Sequence, residues 1–133
     1  MKRRYLFIGM VAIFGLLAPA LTSKAGAHGW QAPAAAAKIA NPVAMGEASI
    51  QSGKKAYRKH CLMCHGPAAQ GKGFAAKSLN PKPANLVQRI KHHDDGDFFW
   101  KIMNGRLPMP GFKDQLSDQQ VWEIINFIKS LEK

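Results

Sequence analysis

The sequence predicts an all-α domain, and three observations carry that prediction. No segment alternates apolar and polar residues with the two-residue period of a strand. Val121, Ile124, Ile125, Ile128 and Leu131 recur at helical spacing behind Ser117-Asp118-Gln119-Gln120, a capping-box pattern with Gln at the third helical position. The glycines and prolines of the middle of the chain concentrate in one stretch, 66–90, and leave helix-compatible segments on either side.

Length and composition bound what such a domain does. The chain has 133 residues, enough for one domain around a single core. Apolar residues make up 47%, which argues against wholesale disorder. Two cysteines are too few for the disulfide framework of a small secreted protein. The chain is also too short for a two-domain enzyme with its own cofactor fold, so demanding chemistry would come from a prosthetic group.

In chain order, residues 1–27 read as an export signal. Lys2-Arg3-Arg4 is the positive start, Leu6 to Leu17 is the uncharged apolar region, and Ala25-Gly26-Ala27 supplies the small residues of a cleavage site. A retained membrane anchor is the alternative, since Tyr5 to Ser23 approaches spanning length. Either way the domain is expected to be exported to the periplasm, with no nucleic acid as partner. Cleavage removes four cations and no anions, taking the formal net charge from +11 to +7. Acidic protein surfaces then become expected partners.

Residues 28–48 are rich in Ala and punctuated by Pro33 and Pro42, a leader or linker lying over the domain of 49–133. A first helix is expected over Ser49–His60. The stretch 66–90 reads as a long loop with at most a short helix near Leu86–Ile90, and a loop of that length suits wrapping a ligand. A second helix starts at Asp94 or Asp95, either of which can cap it, with Asp97 a further anion in its first turn. Phe98, Phe99, Ile102 and Met103 form its apolar face, and Asn104-Gly105 ends it. The last helix follows Ser117.

Cys61-Leu62-Met63-Cys64-His65 carries the chemistry. C-x-x-C-H is the attachment signature of c-type haem: two thiols three positions apart form thioethers to the haem vinyls, and the next residue brings an imidazole to the iron. A thioredoxin-like redox pair would need a βαβ pattern that the chain lacks. A zinc site from Cys61, Cys64, His65 and His92 or His93 has legal ligand types without the usual second paired cluster.

For the second axial ligand the reading favours Met109, held between Pro108 and Pro110 on a stiff loop. Met103 reads as core filler, Met63 lies inside the attachment motif and Met45 in the linker. His92 and His93, beside Asp94-Asp95, read as a solvated start to the helix.

The motif, Met109 and the segments LNPKPANL, DGDFFWKIMNGRLPMPGF and DQLSDQQVWEIINFI together resemble class I monohaem cytochromes c. The likeness is to the small domains related to the haem subunits of C-family haem–copper oxidases, and it covers about residues 50–132. It implies a fold of three to four helices packed around one covalently attached haem c, with iron held by His65 and Met109. It also implies that Gly53 and Tyr57 of the first helix pack against the last helix near Trp122 or Phe127. A proline carbonyl, Pro81 or Pro83, would accept from His65, and Trp100 or Arg106 would reach a haem propionate.

The function expected on this basis is a monomeric single-electron carrier, not an enzyme. It would shuttle between a donor enzyme or complex and a terminal oxidase or reductase. Membrane contact would come only through a redox partner or an uncleaved signal. Lys59, Lys72, Lys77 and Lys82 would steer acidic partners to the haem edge. Two alternatives stand beside it: a ligand-binding sensor or peroxidase with a labile sixth ligand, and a dedicated haem subunit of a respiratory or dehydrogenase complex.

Overall fold

The computed structural model describes residues 29–132, so the expected export signal at 1–27 lies outside the described residues. Within 29–132 the fold is all-α, with no named strand. The order is α1 (Ala34–Ala37), α2 (Glu47–His60), α3 (Leu62–His65), a 3-10 helix (Phe74–Ser78), α4 (Leu86–Arg89), a 3-10 turn (Ile90–His92), α5 (Asp95–Asn104) and α6 (Asp118–Ser130). Only α2, α5 and α6 exceed two turns, so the six α-helices go beyond the expected three to four only through single-turn pieces. No helix of the described residues is long and apolar enough to cross a membrane.

α6 is the centre of the fold. Every residue from Val121 to Ile128 is buried, because α2, α5 and the N-terminal segment cover it on successive sides. Its start is fixed as the sequence predicts: Gln120 N–H donates to Ser117 Oγ at 3.3 Å and Ser117 N–H donates to Gln120 Oε1 at 3.0 Å. α2 crosses it closely, since a side chain at Gly53 would collide with the Glu123 carbonyl. Tyr57 then lays its ring 5.1 Å from that of Phe127. The expected packing of Gly53 and Tyr57 on the last helix is therefore present.

α2 begins two residues before the expected Ser49. The reason is local: Ser49 Oγ accepts from the Gly46 N–H at 3.1 Å, which makes Ser49 the third helical residue and not the cap. α5 starts at Asp95 with Asp94 in the cap position, but the Asp94 side chain makes no capping hydrogen bond. Asp95 reaches the far end of α6 instead, accepting from Lys129 Nζ at 3.0 Å on both oxygens. At the other end Gly105, at φ +67°, terminates the helix.

Residues 29–46 run over α5 and α6 as a strap with its own hydrogen bonds. Ala32 N–H donates to Asp97 Oδ1 at 2.8 Å, and Asn41 Nδ2 donates to Asn126 Oδ1 at 2.9 Å and to the Trp122 carbonyl at 3.2 Å. Gly96 lets α1 press directly on α5, because a side chain there would strike the Ala36 carbonyl.

Candidate functional site

The attachment motif sits on the single turn of α3, entered directly from α2. Tyr57, fully buried, donates its hydroxyl to the Gly66 carbonyl at 2.7 Å, and burial pushes its pKa up. This pins the motif's exit to the helix before it. The loop that follows folds back on the motif: Gly71 N–H donates to the His65 carbonyl at 2.9 Å, and Gly73 N–H to the Cys64 carbonyl at 3.0 Å. Leu86 N–H closes the wrap on the Ala69 carbonyl at 2.7 Å. The glycines that read as mere breakers are what allows the wrap, Gly71 holding φ +75° against the Pro83 carbonyl.

His65 is buried, and its Nδ1 lies 3.1 Å from the Ala84 carbonyl. A carbonyl only accepts, so Nδ1 carries the proton and Nε2 keeps a free lone pair for a metal. Burial lowers the pKa of the imidazole, with the Ala84 bond working against it, so the ring is held neutral. The expected acceptor, the carbonyl of Pro81 or Pro83, is corrected to that of Ala84. The Pro83 carbonyl lies against Gly71 instead.

Cys61 and Cys64 are free, half-buried thiols. Burial, with the neighbouring Cys64 adding to it, pushes the Cys61 thiol up to about 12. Among the described residues no three His, Cys, Asp or Glu side chains converge as a metal cluster. The zinc alternative therefore lacks its donor set. His93 is turned elsewhere, with Nδ1 2.7 Å from Asp97 Oδ2, and it is mostly buried in contrast to the solvated position expected.

Met109 stands on a loop pinched at its neck. The Phe112 N–H donates to the Ile102 and Met103 carbonyls at 3.1 Å, folding the loop back on α5. At the tip, Arg106 and Met109 exchange both backbone hydrogen bonds at 3.0 Å, and the Leu107–Pro108 peptide between them is cis. Cys61, Leu62, Met103 and Met109 all pack half-buried against the same hydrophobic core. His60, just before the motif, meets Phe112, just after the loop, edge to face at 5.9 Å.

These residues fit haem. The donor set is two thiols on one turn, a neutral imidazole with one nitrogen free, and a thioether on a separate loop. Met63, Phe74 and Leu107, on the same segments, stand 60%, 90% and 86% exposed, apolar surface of the kind that a flat hydrophobic ring covers.

Lys82 is an exposed cation, and its Nζ also donates to the Ala76 carbonyl at 3.1 Å and to the Lys77 carbonyl, capping the 3-10 helix. One other expectation is revised. Arg106 is turned to the strap, donating to the Gly29 carbonyl at 3.0 Å. Sequence reasoning missed Asn126, whose amide gathers Asn41, Val43 and Ser49. The available signal was an amide among the apolar positions of α6, one of two polar residues with Glu123 in the buried run.

Comparison with known proteins gives the family of the domain. Residues 48–128 match the family model described as cytochrome c oxidase, cbb3-type, subunit III. A nicotinate dehydrogenase subunit of Pseudomonas putida is 28% identical over 106 residues, covering 73% of this chain and 8% of that protein. Quinohemoprotein alcohol dehydrogenase ADH IIB of Pseudomonas putida is 28% identical over 104 residues, covering 76% of this chain and 14% of that protein. The chain thus spans a small fraction of the curated relatives it matches. A chain of the Kuenenia stuttgartiensis reducing HAO-like protein complex superposes with a TM-score of 0.61 at 26% identity, covering 69% of this chain and 47% of that one. This chain belongs to the cbb3-type subunit III family of haem-binding cytochrome c domains.

Proposed function

We propose that this cytochrome c domain is an exported, non-catalytic single-electron carrier with one haem c, linked through Cys61 and Cys64, and with iron held by His65 and Met109. The observation that carries the reading is the state of His65: buried, neutral, its Nδ1 proton spent on Ala84 and its Nε2 uncommitted. Bound haem supplies a one-electron ferric/ferrous couple.

The chain's own residues explain why that couple would serve transfer and not catalysis. The wrap of 66–86 fixes the imidazole from behind, so its orientation changes little between oxidation states. Met109, on its clipped loop, would supply the second ligand, and the haem would then serve electron transfer with no position offered to a substrate. A thioether opposite histidine favours the reduced state relative to a second imidazole.

Donor and acceptor follow from charge and from the relatives. Lys59, Lys72 and Lys77 are exposed around the attachment segment and would steer an acidic partner surface. The two Pseudomonas putida relatives are named as dehydrogenases, which supports a dehydrogenase-type donor feeding a terminal oxidase or reductase. Periplasmic location rests on the export signal read at 1–27, with domain boundaries at 28–48 and 49–133.

The same relatives favour a second reading, a dedicated haem subunit of a larger complex, because this chain matches only a part of much longer proteins. Native mass spectrometry of the exported protein separates the two: a lone monomer carrying one haem supports the carrier, a stable hetero-complex the alternative. The haem assignment itself is tested by the intact mass of protein made with haem-maturation machinery. A gain of one haem, lost in Cys61→Ala/Cys64→Ala, is expected; unmodified thiols in both would refute it.

A further inference from the structure

We propose that the N-terminal strap is a positioning device for the Met109 loop, acting through Trp30, Gly29 and Arg106. The inference rests on the proposed ligation by Met109.

The loop has one firm end and one weak end. At its neck, Gly105 and Gly111 pack against each other so closely that a side chain on either would strike backbone, and Phe112 is bonded to the end of α5. At its tip, Leu107 is 86% exposed and the backbone is held only by the Arg106–Met109 pair among the described residues. Beside the packing of Met109 on the core, the side chain of Arg106 is the polar tie from the tip to another part of the chain among the described residues. It donates Nη1 to the Gly29 carbonyl at 3.0 Å and lies over the Trp30 ring at 4.8 Å.

The other end of that tie is itself anchored. Lys101 Nζ lies 5.8 Å from the Trp30 ring, and Lys101 is paired with Asp97. Asp97 is buried and accepts the Ala32 N–H at 2.8 Å, two residues along the strap from Trp30. The indole therefore meets two cations, one rooted in α5 and one carrying the ligand loop. Because Arg106 exchanges both backbone bonds with Met109, a shift of its side chain is passed directly to the ligand's own backbone. Trp30 and Arg106 are positioning residues, and neither needs to touch the haem.

Loosening the tip should let an external ligand displace the thioether more readily. The test is imidazole binding to the oxidised, haem-loaded protein, read by loss of the weak red charge-transfer band of Met-ligated ferric haem. Trp30→Ala and Arg106→Ala are each expected to tighten apparent imidazole binding roughly two- to fivefold, the scale of one exposed cation–π contact. The double variant should be no tighter than Arg106→Ala alone, and Trp30→Phe should return toward the native value. Deuterium uptake by the 105–111 segment should rise in Trp30→Ala while that of 61–73 stays unchanged. Native-like imidazole affinity in both single variants overturns the inference. Met109→Ala separates the underlying reading: if it leaves the red band intact, the ligation is wrong and the inference falls with it.

Discussion

The two segments that carry the proposed iron ligands are held in opposite ways. The attachment segment, 61–86, is bonded to itself and to α2 at every turn: Tyr57 to Gly66, Gly71 to His65, Gly73 to Cys64, Leu86 to Ala69 and His65 to Ala84. The ligand loop, 105–111, has a tight neck, one pair of turn bonds and an exposed tip. The difference teaches that the imidazole side is over-determined, so that single changes there cost stability. The Met109 side is marginal, so that changes there are expected to cost the proposed coordination first.

The largest expected effect breaks the firm side. Gly71→Ala puts a β-carbon at φ +75° into the Pro83 carbonyl, and both chain segments are already committed to other bonds. A loss of about 3 kcal/mol or more is expected in chemical denaturation of the haem-loaded protein. A change near zero would mean the wrap is looser than described.

Gly111→Ala sharpens the contrast from the weak side. Its β-carbon would press on the Asn104 carbonyl at 2.7 Å and the Met103 carbonyl at 2.8 Å, so the loop must shift. The expected cost is about 1–3 kcal/mol, with visible weakening of the red band while helix content is retained. Equal losses of stability and an intact band would erase the distinction between the segments. Tyr57→Phe comes next. It removes the side-chain donor to the Gly66 carbonyl, which keeps the Ala69 N–H, for about 1 kcal/mol in the same denaturation assay and with the band unchanged.

The entry to α5 adds a pH dependence distinct from both. Burial and Lys101 hold His93 below the usual histidine pKa, outweighing the opposing pull of Asp97. The unfolded chain therefore takes up a proton at higher pH than the folded one. Stability should fall as pH drops below about 6.5, and His93→Gln should flatten that slope in thermal melts. The smallest effect on structure comes from Lys59→Glu with Lys77→Glu, both exposed. Stability should hold within about 0.5 kcal/mol while reduction by an acidic partner slows at low salt.

How much of this was legible depends on how local the cause is. The cap of α6 lies within Ser117–Gln120, the stop of α5 is one glycine, and the attachment motif is five consecutive residues, so each could be read directly. Gly53 and Tyr57 were readable only through family likeness, because their partners on α6 lie far along the chain. The sequence suggested a leader lying over the domain but not its pairings: Asn41 with Asn126 and Ala32 with Asp97 are separated by 85 and 65 residues. An Ala/Pro-rich composition gives no period that would reveal such pairings. His65's acceptor was missed by one residue for a related reason. Which carbonyl faces the ring is a tertiary detail of how the loop folds back, which the spacing of prolines does not encode. The capping role of Lys82 was not legible, because a surface lysine that caps carbonyls has the same sequence signature as one that is only solvated.

The most direct test of His65/Met109 ligation is the absorption spectrum of the oxidised, haem-loaded protein beside that of Met109→Ala. The expected result is c-type bands in both, with the weak red charge-transfer band present in the native protein and lost in the variant. Attached haem without that band in the native protein, or a band that survives in Met109→Ala, would contradict it.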